Sequence, residues 1–112
     1  DYLKADPGSY ALLADALDYA SIDQVSLEDA HHHNDLALLE QFGRSTVVFG
    51  CVAVASSRIE TSEEIRDRLR NALQHIDADR LVAAPDCGLI MLDRELAIAK
   101  LSNLCAAAGS VA

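Results

Sequence analysis

The chain has 112 residues, 51% of them apolar, and its 18 acidic side chains against nine basic ones leave a formal charge of −9. That excess repels phosphate backbones and anionic membrane surfaces, which excludes nucleic acid as a partner. No apolar run approaches the roughly 20 residues of a membrane helix, and no basic segment precedes a short hydrophobic stretch, so neither a membrane span nor a signal peptide is expected.

With two Phe, three Tyr and no Trp, the core must rest on Leu, Val, Ile and Ala, side chains that suit strands and helices packed in layers. Cys51, Cys87 and Cys105 form no Cys-x-x-Cys pair, and their odd number argues against a closed disulfide framework. A reducing cytoplasm is the expected setting. The sequence starts at Asp1 rather than Met and is read as a piece of a longer protein.

In chain order, Asp6-Pro7-Gly8-Ser9 is a turn, and Ser9 is expected to cap a helix whose apolar face is Leu13, Ala16, Leu17 and Ala20. Gln24 to Glu28 alternates as a strand does. Asn34 and Asp35 offer caps for a brief helix bearing Leu36, Leu39 and Phe42, which Gly43 can stop. The β-branched run from Thr46 to Val54 reads as a strand buried on both faces. Thr61 with Glu64 makes a capping box, behind which Ile65, Leu69, Ala72, Leu73 and Ile76 repeat at helical spacing. Arg80 to Ala84 is a third strand, broken by Pro85-Asp86-Cys87-Gly88. Asp93 then opens a last helix with Ala97, Leu101, Leu104, Cys105 and Ala108 inward.

Strands alternating with helices imply right-handed crossovers and a parallel sheet. Three strands cannot close a barrel, which takes eight strands and about 250 residues, and they would leave two raw sheet edges. The expected fold is therefore α/β: the last three strands and surrounding helices of a (β/α)8 TIM barrel, with residues 1–112 its C-terminal part and the other strands upstream of Asp1. No glycine-rich phosphate loop follows any strand, so a nucleotide-binding doubly wound fold has no support.

Active sites of such barrels sit where strands hand over to their loops, here Glu28-Asp29, Ala55 to Glu60, and Asp86-Cys87. Glu28 and Cys87 end the first and third strands, and a carboxylate and a thiolate are both acceptable zinc ligands. Strands one place removed lie about 10 Å apart, within reach of one ion. By residue type alone, a single Cys after a strand is more often a small buried residue and such a Glu a solvated or capping charge. His31-His32-His33 reads as a solvated loop, with capping a helix or hydrogen-bonding to a metal ligand as the alternative role for one His. Cys51, inside the middle strand, and Cys105, on an apolar helix face, read as packing residues. Arg58, in the loop after the second strand, could hold a substrate carboxylate in a forked bond, although most such charges are merely solvated.

Ala84-Pro85-Asp86-Cys87-Gly88-Leu89 resembles the Pro-Asp-Cys-Gly-Leu signature of cobalamin-independent methionine synthases, and Val25-Ser26-Leu27-Glu28-Asp29 resembles the strand that carries another of their zinc ligands. The resemblance covers nearly the whole chain. It implies a zinc-dependent methyltransferase of the 5-methyltetrahydropteroyltriglutamate–homocysteine type, in which zinc is held by His, Cys, Glu and Cys and takes the homocysteine thiol as thiolate. It implies Glu28 and Cys87 as two of those ligands, with the family's His-x-Cys pair upstream of Asp1. Folate-using members carry a His after the middle of these strands, where this chain has Ala55. That departure moves the expected methyl donor from folate towards a methylated corrinoid or another small alkyl donor. A related zinc transferase acting on another thiol, of the epoxyalkane–coenzyme M transferase kind, and a barrel fragment without catalysis are the alternatives.

Overall fold

The three stretches that alternate or run apolar do pair with one another. β1 (Gln24–Glu28), β2 (Thr46–Val52) and β3 (Leu81–Pro85) form a parallel sheet in the order β1-β2-β3. Helix α1 (Gly8–Tyr19) precedes β1, a 3-10 turn (Leu36–Gln41) joins β1 to β2, α2 (Ser62–Ala72) joins β2 to β3, and α3 (Arg94–Ser110) follows. These are three βα units of a (β/α)8-type barrel. They are seen in a computed structural model that describes Asp6 and residues 8–111.

Side chains alternate along a strand, so the sheet has two unlike faces. Leu27 of β1 and Val47, Phe49 and Cys51 of β2 turn towards the helices and form the core with Leu39, Ile65, Leu69, Leu104 and Ala107. Burying a side chain such as Phe49 or Ile65 stabilises the fold by about 1.5–3 kcal/mol. The other face carries Gln24, Ser26 and Glu28 of β1 and Val82 of β3, all exposed. In a barrel that face is the interior.

β1 has the expected bounds, and α2 begins with the complete capping box: Thr61 Oγ1 accepts from Glu64 N and Glu64 Oε2 from Thr61 N. Other expectations change. Asp6, not Ser9, caps α1, its carboxylate accepting from Gly8 N at 3.0 Å. Ala14 is the buried residue of α1 and Leu13 is 54% exposed, because the helix packs on the 3-10 turn through one narrow stripe. The brief helix is that 3-10 turn, capped by Asp35 alone. β2 ends at Val52, and Pro85 closes β3 rather than breaking it. Helix α3 is rotated from the expected phase: Lys100, Leu104 and Ala107 are buried, while Cys105 is exposed. Lys100 takes the inward position because its ammonium has a buried partner, described below.

At the N-terminal ends of the strands, one carboxylate gathers the start of β2. Asp18, at the end of α1, accepts from the backbone N–H groups of Ser45 (2.7 Å), Gly43 (3.1 Å) and Arg44 (3.1 Å). Arg44 returns the contact, its guanidinium donating to the carbonyls of Asp18, Ala20 and Ile22. The Ser45 amide is the largest of the influences that hold the Asp18 carboxyl below its usual 3.8. A depressed carboxyl contributes stability that is complete above the unfolded value and lost as pH falls through the folded one. Asp18→Asn is therefore expected to lower the denaturant midpoint at pH 7, and the gap from wild type should close as pH is taken below 3.8. Paired urea titrations across that range measure it.

Candidate functional site

The C-terminal ends of the three strands are drawn together by one buried side chain. Asp86 directly follows β3, and its backbone N–H is bonded to the Val52 carbonyl of β2 at 2.9 Å. Its carboxylate crosses β2 and enters the loop after β1. Oδ1 accepts from Asp29 N (3.1 Å) and Ala30 N (3.0 Å), and Oδ2 accepts from His31 N at 2.9 Å. His31 Nδ1 lies 2.7 Å from Oδ2. Successive amides aimed at one anion form the concave arrangement that suits a carboxylate, and this one is fully enclosed, with 0% side-chain exposure.

Gly50 of β2 makes the crossing possible. A β-carbon there would stand 2.2 Å from Asp86 Oδ1 and 2.8 Å from Asp86 Cα. A glycine inside a strand commonly marks such a close approach.

His31 extends the connection to the loop after β2. Its Nε2 accepts from the backbone N–H groups of Val54 (3.2 Å) and Ala55 (2.9 Å). With Nε2 an acceptor, the ring proton lies on Nδ1 and is donated to Asp86. Of the three adjacent histidines this one is engaged, while His32 and His33 are exposed.

Two further buried charges hold the rim to the helices. Asp29, 0% exposed, receives a two-pronged bond from Arg68 of α2, with Nε to Oδ2 at 2.7 Å and one terminal nitrogen to Oδ1 at 2.9 Å. Asn34 donates to the same carboxylate and to the Glu28 carbonyl, which curls the loop. Lys100 of α3, also 0% exposed, donates to Glu60 Oε2 at 2.9 Å and to the Arg58 carbonyl, while Glu60 Oε1 accepts from Ala53 N. Burial raises and the Lys100 bond lowers the Glu60 carboxyl, and its net position is below the usual value.

Glu28 closes β1 on the barrel-interior face, exposed, in one row with Gly50 and Ala84. Cys87, next to Asp86, is exposed and free. Among the described residues, Glu28, His31 and Asp86 bring ligand-type atoms within 4.8 Å of one another, and Cys87 is not in that group. Both nitrogens of His31 and both oxygens of Asp86 already carry hydrogen bonds, so Glu28 is the member of the group with a free donor. Arg58 lies elsewhere. It pairs with Glu64 across an exposed surface and lines a cavity of about 370 Å³ that is also walled by Cys51, Ala53 and Ile65. Those three place the cavity on the helix side of the sheet.

Residues 9–110 match the family model described as the catalytic domain of cobalamin-independent synthase. The chain belongs to the cobalamin-independent methionine synthase family. The methionine synthase of Thermococcus kodakarensis is 38% identical over 97 residues, covering 86% of this chain and 29% of that protein. The methionine synthase of Methanothermobacter thermautotrophicus is 36% identical over 101 residues, covering 88% and 32%. A solved structure of a B12-independent methionine synthase from Shewanella sp. W3-18-1, in complex with selenomethionine, superposes with a TM-score of 0.86 at 37% identity, over 91% of this chain and 30% of that one. The chain thus spans about three tenths of the length of these relatives.

Two outcomes follow from the geometry. Gly50→Ala pushes against backbone as well as side chain, so rotation of Asp86 does not relieve it; a loss of about 1–3 kcal/mol is expected, read as a lower denaturant midpoint. The thiols should divide by burial. Desolvation pushes Cys51 up to about 12, whereas Cys87 and Cys105 are exposed. An aromatic disulfide reagent at pH 8 should titrate Cys87 and Cys105 in the folded protein and reach Cys51 only after denaturation, because thiolate and access control the rate.

Proposed function

We propose that this chain forms part of the active site of a zinc-dependent methyltransferase that moves a methyl group onto the thiol of homocysteine to form methionine, with Glu28 and Cys87 as two of the metal's ligands. The observation that carries the reading is the contrast at the rim. Both oxygens of Asp86 and both ring nitrogens of His31 carry hydrogen bonds, while the Glu28 carboxylate and the Cys87 thiol stand exposed with no hydrogen-bond partner among the described residues.

The residues fit zinc in kind but not in number. Carboxylate oxygen and thiolate sulfur are zinc ligands, and a tetrahedral site needs further donors. His31 and Asp86 do not offer them without giving up bonds that build the rim. The remaining ligands, by the family resemblance a His and a Cys, would come from the rest of the barrel, whose strands would also cover the face carrying Gln24, Ser26 and Val82. The chemistry zinc supplies when bound is Lewis acidity: a coordinated thiol loses its proton near neutral pH.

This chain's own residues bind and orient. Glu28 and Cys87 supply donors from opposite edges of the three-stranded sheet, and Asp86 fixes the loops that carry them. Gly50 and Ala84, in the row beside Glu28, leave room on the interior face. Arg58, the sequence candidate for a substrate carboxylate, is paired with Glu64 and lies on the helix side of the sheet, away from the face that carries Glu28, so the role would require it to leave Glu64 and reach over the rim. Homocysteine is favoured over other thiols because the relatives above are named methionine synthases. Ala55 in place of a His favours a donor other than folate, a methylated corrinoid being the first to test. His31 sits against the Ala55 amide, but both its nitrogens are engaged, so it does not stand as a free acid there. Three free cysteines suit a reducing, cytoplasmic setting, and no helix is long and apolar enough to cross a membrane among the described residues.

Metal analysis of the full-length protein after dialysis tests the assignment. Glu28→Gln and Cys87→Ser should each lower zinc content and reduce methyl transfer to homocysteine to background; full zinc and activity in either variant would rule that residue out. Residues 1–112 expressed alone should not retain stoichiometric zinc.

A further inference from the structure

We infer that His31 is a positioning residue for the proposed metal ligands, an imidazole that locks the rims of all three strands into one arrangement. The inference rests on the zinc reading above and goes beyond it, because His31 itself holds no metal. A single ring touches all three rims. It leaves the loop after β1, three residues from Glu28; its Nδ1–H donates to the carboxylate of Asp86, the residue before Cys87; and its Nε2 accepts from Val54 and Ala55, after β2.

Each contact has a defined sense. Asp86 is fully buried and His31 is 17% exposed by side chain, so the 2.7 Å bond between them is shielded from water. Charge-assisted bonds of this kind are shorter and stronger than neutral ones. On the other side, a ring that accepts from two amides, one part-buried and one exposed, cannot rotate without giving up both bonds. The ring is therefore fixed in position and in tautomer. Losing it would free the loop after β2 and leave the Asp86 carboxylate with three amides instead of four donors. Glu28, within 4.8 Å of that carboxylate, and Cys87, the next residue along the chain from Asp86, would then lose a fixed separation. Groups that orient ligands in this way typically change metal affinity by about 10–100-fold when removed.

Side-chain amides divide the two halves of the ring. His31→Asn keeps a donor near the place of Nδ1 and forfeits the amide contacts, while His31→Gln keeps an acceptor near Nε2 and forfeits the donor. The full-length protein is loaded with zinc and titrated against a chelator, then loaded with cobalt(II) so that the thiolate-to-metal absorption reports Cys87. His31→Ala should lower zinc affinity by about 10–100-fold and alter the cobalt spectrum, with Asn and Gln intermediate. Denaturant midpoints of the metal-free proteins are measured alongside. A lowered midpoint with wild-type affinity and spectrum would show a purely structural role and overturn the inference. If the alanine variant does not fold, wild-type affinity and spectrum in both the Asn and Gln variants overturn it equally. Failure of the zinc reading is separately visible: Cys87→Ser would then leave the cobalt spectrum unchanged, and the inference would fall with it.

Discussion

A carboxylate on the third strand can reach the loop after the first only if nothing stands on the strand between them. β2 lies between β1 and β3, and Gly50 is the one position where Asp86 passes over it. The rest of the rim follows from that crossing. Three successive amides, those of Asp29, Ala30 and His31, must turn inward to meet the carboxylate, so the chain after β1 curls immediately rather than running on. Burying an ion costs several kcal/mol even after relaxation, and only a complete set of hydrogen bonds offsets it. Asp86 has that set, and its position is correspondingly narrow.

The same device recurs twice on the outer side of the sheet. Asp29 with Arg68 fastens the first loop to α2, and Glu60 with Lys100 fastens the second loop to α3. Buried pairs of this kind add little net stability against an apolar replacement, but each is costly to satisfy in any other geometry. They specify an arrangement. At the opposite end of the strands, Asp18 and Arg44 make a comparable number of bonds to backbone with Asp18 half-buried and Arg44 exposed, where desolvation costs less. Barrels of this class separate a stabilising end from a functional one. Here the C-terminal end of the strands, where the proposed site lies, is the one built from enclosed charges.

Much of the fold was legible because it is local. Alternation over Gln24–Glu28, the β-branched run from Thr46 and the Thr61–Glu64 box all act within a few residues, and the structure keeps each of them. The charges were not legible, because a charge's type predicts its usual exposure and says nothing of its partner. Asp86 meets Asp29 across 57 residues of sequence, and Arg68 meets Asp29 across 39. Lys100 shows the consequence for an entire element: apolar spacing alone puts Leu101 and Cys105 inward on α3, whereas the buried Lys100, bonded to Glu60, turns both outward. Among His31, His32 and His33 nothing in the sequence distinguishes the one whose ring turns inward. Gly50 was a usable signal, since a glycine inside a β-branched run commonly marks a close approach. Asp86 was passed over because the neighbouring Cys87 carries the more obvious chemistry.

The contrast between filled and unfilled polar groups bears on why a metal suits this rim. Glu28 lies in a row with Gly50 and Ala84, neither of which has a side chain that can donate to it. On the interior face of a closed barrel, a carboxylate so placed would be partly enclosed, and an enclosed anion without a counter-charge is unstable in its ionised form. Two cationic side chains near the rim are committed on the other side of the sheet, Arg68 to Asp29 and Lys100 to Glu60. His31, within 4.8 Å, keeps its ring proton on Nδ1 and donates it in a hydrogen bond to Asp86. A cation from outside the chain is then the partner that the geometry lacks. In the proposed reading Cys87, following the opposite edge strand, would add a thiolate, and that donor favours a borderline-soft ion such as zinc over a hard one such as magnesium or calcium.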